Sequence, residues 1–93
     1  MSENELSTHE KIQRADDFLG AVVGDELLMM SIEKGSYYSL NSIGARIWEL
    51  LESPIGIDGL VARLTEEYNV PVDTCRQEVA RFIEALRERG LIN

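Results

Sequence analysis

The stretch Glu26–Asn41, Glu-Leu-Leu-Met-Met-Ser-Ile-Glu-Lys-Gly-Ser-Tyr-Tyr-Ser-Leu-Asn, decides the fold of this 93-residue chain. Its first half, Glu26–Glu33, is apolar on both parities, Lys34-Gly35 supplies a turn, and Ser36–Leu40 runs back, so the pattern predicts a β-hairpin. A three-residue loop of Lys34, Gly35 and Ser36 would pair Ile32 with Tyr38 and Met30 with Leu40. All four, with Leu28, would then share one face; a two- or four-residue loop would instead pair Ile32 with Tyr37.

After Asn41-Ser42 the hydrophobic period changes from two to 3.6. Ile43, Ile47, Leu50 and Leu51 fall at i, i+4, i+7 and i+8 beside Trp48, with Asn41 or Ser42 as N-cap and Ser53-Pro54 as the stop. A second helix is predicted from Gly56 or Asp58, carrying Ile57, Leu60, Val61, Leu64 and Tyr68 on one face and ending at Asn69-Val70-Pro71. A third starts at Asp73 or Thr74, where Thr74–Gln77 fits a capping box. It buries Cys75, Val79, Phe82, Ile83 and Leu86 and stops at Gly90. Upstream, Lys11–Ala15 alternates polar and apolar residues as a short strand would, and Asp16-Asp17 ends it. Residues 1–10 are polar, aperiodic and rich in glutamate, a disordered tail. The order is α+β: a three-stranded antiparallel sheet, then three helices in a winged helix-turn-helix-like bundle over residues 11–93.

Composition excludes several classes of function. Seventeen acidic and nine basic residues give a net charge of −8, which disfavours nucleic acid and anionic membrane as partners. No apolar run approaches the roughly 18 residues of a membrane span and no signal peptide opens the chain, so a cytoplasmic location is expected. Cys75 is the only cysteine and His9 the only histidine. Neither a disulfide nor a metal centre can be assembled from them, and no cofactor is implied. The carboxylate pairs Asp16-Asp17, Asp25-Glu26 and Glu66-Glu67 are sequence neighbours whose side chains diverge, and no glycine-rich phosphate loop is present. Catalysis is not expected. A winged helix would bind DNA through outward cations, but Arg76, Arg81, Arg87 and Arg89 are interleaved with Glu78, Glu84 and Glu88.

A binding module remains, and the strand Ser36–Leu40 offers a mechanism. As the last strand of a meander it is an edge without proline or lysine, to which an extended peptide can add.

Tyr38-Ser39-Leu40-Asn41, Gly44, Ile47-Trp48-Glu49-Leu50-Leu51, Leu60, Leu64 and Tyr68, then Val79, Phe82-Ile83, Leu86 and Gly90-Leu91-Ile92 together resemble the PqqD-like family. The resemblance runs from about Lys11 to the end of the sequence. It departs at Gly56, where a capping serine or threonine is common. It implies a peptide-recognition element of ribosomally made, post-translationally modified peptide pathways, which binds a precursor's leader as an added strand between the third strand and third helix. The residues it points to are Ser36, Tyr37, Tyr38, Ser39 and Leu40 on the strand and Arg76, Val79, Ala80, Ile83 and Arg87 on the helix. A free-standing chain with a preceding tail is most similar to the stand-alone leader-binding branch of lasso-peptide clusters, whose partners are the precursor peptide, a leader protease and a cyclase. The alternative is a peptide chaperone for a radical-SAM enzyme, as in pyrroloquinoline quinone synthesis.

Overall fold

Gly24, at φ +64°, turns the chain through a two-residue loop with Asp25, a conformation open to glycine and strained for other residues. The turn joins β1 (Phe18–Val23) to β2 (Glu26–Ser31) in antiparallel register from Val23 opposite Glu26 to Phe18 opposite Ser31. β3 (Tyr37–Leu40) completes a sheet of order β1-β2-β3, and α1 (Ser42–Leu50), α2 (Ile57–Glu67) and α3 (Val72–Glu88) follow. This computed structural model describes residues 10–93, so His9 and all but Glu10 of the expected tail lie outside the described residues. The class is α+β, a three-stranded antiparallel sheet followed by three helices.

The first strand forms one element later than its alternation predicts. Lys11–Ala15 makes only isolated bridges, Ile12 with Ile55 and Arg14 with Ile92, and acts as a strap across the helical layer. Its alternation is real, because Ile12 is buried and Lys11 exposed. The ladder position goes to Phe-Leu-Gly-Ala-Val-Val, which combines β-forming side chains with the glycine turn.

The hairpin register also differs. Met30 lies opposite Tyr37, Met29 opposite Tyr38, Leu28 opposite Ser39 and Leu27 opposite Leu40. The shift from the expected pairing is odd, so Met29 and Ser31 face the core while Leu28 and Ile32 are exposed. The cause lies on β1's side. The Asp17 carbonyl accepts the Ile32 N–H at 2.9 Å and its carboxylate accepts the Glu33 N–H at 3.1 Å. The buried Ser31 hydroxyl accepts the Lys34 N–H at 3.2 Å. Ile32 through Gly35 are thereby drawn into a four-residue loop, closed by Ser31 N–H to Ser36 O at 2.8 Å.

The helices follow their 3.6 pattern. Asn41 caps α1 through its side-chain oxygen and the Gly44 N–H at 2.9 Å. α3 starts before the expected capping box. Pro71 is the N-cap, and its carbonyl accepts the Cys75 N–H at 2.9 Å, so the helix is already under way at Thr74. At the other end Gly90, φ +77°, forms a Schellman closure with Leu91 N–H to Leu86 O at 3.0 Å and Gly90 N–H to Arg87 O at 3.1 Å. The core lies between the sheet's inner face and the helices, centred on Met29, Leu40, Leu60, Ile83, Leu86 and Leu91. Phe18 meets Trp48 edge to face at 5.1 Å, and the Arg14 guanidinium stacks over the same indole at 4.6 Å. No helix among the described residues is long and apolar enough to cross a membrane.

Candidate functional site

In an antiparallel ladder, directly bonded pairs alternate with pairs whose polar groups point away from each other. Ser31 and Ser36 are directly bonded, so Tyr38 and Leu40 also turn their N–H and C=O toward β2. Tyr37 and Ser39 turn theirs outward. Among the described residues the sheet order leaves no strand beyond β3, so these two residues form an open hydrogen-bonding edge.

Beside that edge is a cavity of about 340 Å³. Tyr38, Ser39 and Leu40 form one side, Glu78, Val79 and Phe82 of α3 the other, and the start of α1 and end of α2 lie between them. Its lining is mostly apolar, with Ser39, Asn41 and Glu78 as polar members. Gly44 lets α1 close its end of the cavity. A Cβ there would stand 3.2 Å from two Phe82 ring carbons and 3.3 Å from the Leu40 Cβ. The Phe82 ring in turn stacks on Tyr38 with centroids 6.0 Å apart.

Arg46 ties α1 to the last turn of α2 through a forked pair with Glu67, at 2.8 and 2.6 Å. Those hydrogen bonds hold the Glu67 carboxyl below the usual glutamate range. The stability this pair contributes is therefore present above that range and is lost as pH falls through the lowered value.

The cavity also exposes one face of Cys75, whose thiol is pushed above its ordinary value by burial, more than the Arg76 charge pulls it down. A protonated, shielded thiol is a poor nucleophile. At about pH 8, iodoacetamide should label Cys75 at least about tenfold more slowly in the native protein than in urea. A peptide filling the cavity should slow native labelling further; rates equal in native and unfolded protein would contradict the burial.

Of the residues singled out in the sequence, Tyr38, Ser39, Leu40 and Val79 meet at this cavity. Ser36 precedes β3 and donates its hydroxyl to the Arg89 carbonyl at 3.1 Å, and Tyr37 lies on the outer face, 67 % exposed. Ile83 is not on the cleft wall but in the core at 2 % exposure. Arg76 pairs with Asp58 of α2 at 2.5 Å, Arg87 with Glu84 at 3.5 Å, and Ala80 is exposed away from the lining. The expected stripe is one residue, about 100°, out of phase: Cys75, Glu78, Val79 and Phe82 form the wall. Phe82, read as core, is half-buried and shared between core and cavity. Gly44, Leu64, Tyr68 and Glu78 were not singled out for the site. Gly44 carried the usable signal, a glycine between the apolar Ile43 and Ala45 in the first turn of α1. No cluster of metal-ligating side chains occurs among the described residues.

Residues 26–92 match the family model of coenzyme PQQ synthesis protein D, PqqD. A solved structure of TbiB1 in complex with the TbiA(beta) leader peptide is 28 % identical, with TM-score 0.78 over 87 % of this chain and 94 % of that one. A second, lasso peptide synthetase B1 complexed with the leader peptide, is 21 % identical, with TM-score 0.76 over 88 % and 96 % of the two chains, and shares the fold. No curated protein matches the chain by sequence.

Proposed function

The chain belongs to the PqqD family, and from that premise we propose that it recognises the leader segment of a ribosomally synthesised precursor peptide without modifying it. The leader adds as a fourth strand along β3, pairing with the outward groups of Tyr37 and Ser39, and seats one or two apolar side chains in the cavity between β3 and α3. The observation that carries this reading is the coincidence of an open edge and an apolar cavity on one side of one strand. Strand β1 is also an edge, but the cavity beside β3 takes in none of its residues, and the depression around Arg14 and Glu52 takes in only Phe18 of β1.

The pathway reading is lasso-peptide biosynthesis, with the bound leader presented to a leader protease and a cyclase. The likeness to TbiB1, solved in complex with the TbiA(beta) leader peptide, supports the leader-binding part of this reading. The family's own description names coenzyme PQQ synthesis, which goes with the second reading, a chaperone delivering a precursor to a radical-SAM enzyme. Both use the same cleft and differ in the enzyme that receives the peptide.

The test is a fluorescence titration of the purified protein with the leader peptide encoded beside its gene. Saturable one-to-one binding with Kd of about 10 μM or tighter is expected, with the peptide's mass unchanged after overnight incubation. No binding at about 100 μM, or retention of random duplex DNA at low salt instead, would overturn the assignment.

A further inference from the structure

Four arginines lie on α3 or its C-cap, and three are paired: Arg76 with Asp58, Arg81 with Glu78 and Arg87 with Glu84. Arg89, the C-cap, makes no ion pair among the described residues. Its guanidinium lies over the Tyr38 ring, 4.7 Å from the centroid, and its Nε, like that of Arg14 over Trp48, is buried without a hydrogen-bond partner among the described residues. A buried charged N–H with no acceptor is costly, and native structures keep few of them.

The position of this group is informative. Tyr38 lines the cavity, and Arg89, itself outside the lining, adjoins it through the Tyr38 ring. The Arg89 carbonyl is fixed there by the Ser36 hydroxyl at 3.1 Å. Lys34 reaches the neighbouring Glu88 carbonyl at 3.4 Å and lays its side chain against Gly90, adding a second cation at this end. Contact with the Tyr38 ring places the guanidinium, whose planar fork suits a carboxylate.

We propose that Arg89 is a carboxylate-binding subsite of the cleft, taking an aspartate or glutamate side chain of the docked peptide. The proposal rests on the β3-edge reading given above. It also fixes a spacing. Residues on one face of an added strand recur every second position, and the cavity lies toward Leu40 while Arg89 lies toward Ser36. The acidic residue therefore stands an even number of residues, about two or four, from the apolar residue seated in the cavity. With the chain at −8 overall, acidic peptides in general are repelled, so the preference is confined to that one position.

The probe is a displayed library of random peptides about 12 residues long, selected separately on the parent protein, Arg89→Gln and Ser39→Pro. Parent-selected peptides should share an apolar residue and an Asp or Glu at constant even spacing; those from Arg89→Gln should keep the apolar residue and lose the acid. In a titration cycle, changing that Asp to Asn should weaken binding to the parent about tenfold and to Arg89→Gln hardly at all. Arg89→Lys, which keeps the charge, guards against a merely structural loss and should retain part of the acid preference. Peptides with no positional acid, or an equal Asp→Asn effect in both proteins, would overturn the subsite and leave strand addition standing. If the parent selects nothing, or Ser39→Pro selects the same peptides, strand addition itself falls and the subsite with it.

Discussion

Replacing Ser39 with proline is expected to weaken leader binding at least about tenfold while shifting the thermal midpoint by only a few degrees. The separation follows from the ladder. Ser36, Tyr38 and Leu40 carry the bonds to β2, whereas Ser39 turns its N–H to the open edge. Proline there removes an outward donor and projects its ring into the path of the incoming strand, yet removes no bond from the sheet. One backbone hydrogen bond contributes about 0.5–1.5 kcal/mol net, and displacement of the docking strand by the ring adds to it, so a loss of about 1.4 kcal/mol, or tenfold, is a lower bound. Two neighbours serve as controls. Tyr38→Pro removes an N–H aimed at β2 and should lower the midpoint markedly. Ser39→Ala deletes only the exposed hydroxyl contact to Glu26, at 2.6 Å, and should bind like the parent. Parent-like affinity for Ser39→Pro in the same titration would remove β3 as the docking strand.

The edge was legible in the sequence because it needs only strand order, and an antiparallel meander ending in Ser36–Leu40 leaves that strand outermost whatever its register. The helices were legible because Ile43, Ile47 and Leu51, or Cys75, Val79 and Leu86, repeat at a spacing only a helix brings to one face. Register was not legible. It is set by Asp17 and Ser31, two polar residues that capture the amides of Ile32, Glu33 and Lys34, and neither interaction leaves a mark in hydrophobic periodicity. The first strand was missed for a related reason: Lys11–Ala15 has the alternation of a strand but finds only Ile55 and Ile92 to pair with. The cleft wall was displaced by one residue because the roll of α3 is decided by its packing on α2 and the sheet. That packing buries Ile83 fully and leaves Phe82 straddling core and cavity.

The double substitution Leu91→Ala/Ile92→Ala is expected to remove most of the protein's stability. Both side chains are core, at 0 % and 4 % exposure, and large-to-small changes at such sites cost about 2–5 kcal/mol each. A domain of this size has roughly 5–14 kcal/mol in all. Adjacent sites need not add, but the strap argues for a large joint effect. Ala15 N–H donates to Leu91 O at 2.9 Å and Asn93 N–H to Gln13 O at 3.0 Å. Losing this seam frees the strap that holds Arg14 over Trp48 and Ile12 against Ile55. Urea unfolding followed by circular dichroism should show the midpoint falling close to zero denaturant; a loss under about 1.5 kcal/mol would mean that residues 91–93 are a dispensable seam. Neither residue lines the cleft, which gives the variant a second use. A leader that binds only folded protein stabilises it by about 2.7 kcal/mol at a hundred times Kd. Leader peptide should therefore restore a cooperative transition to the double variant, and should fail to do so once Ser39→Pro is added.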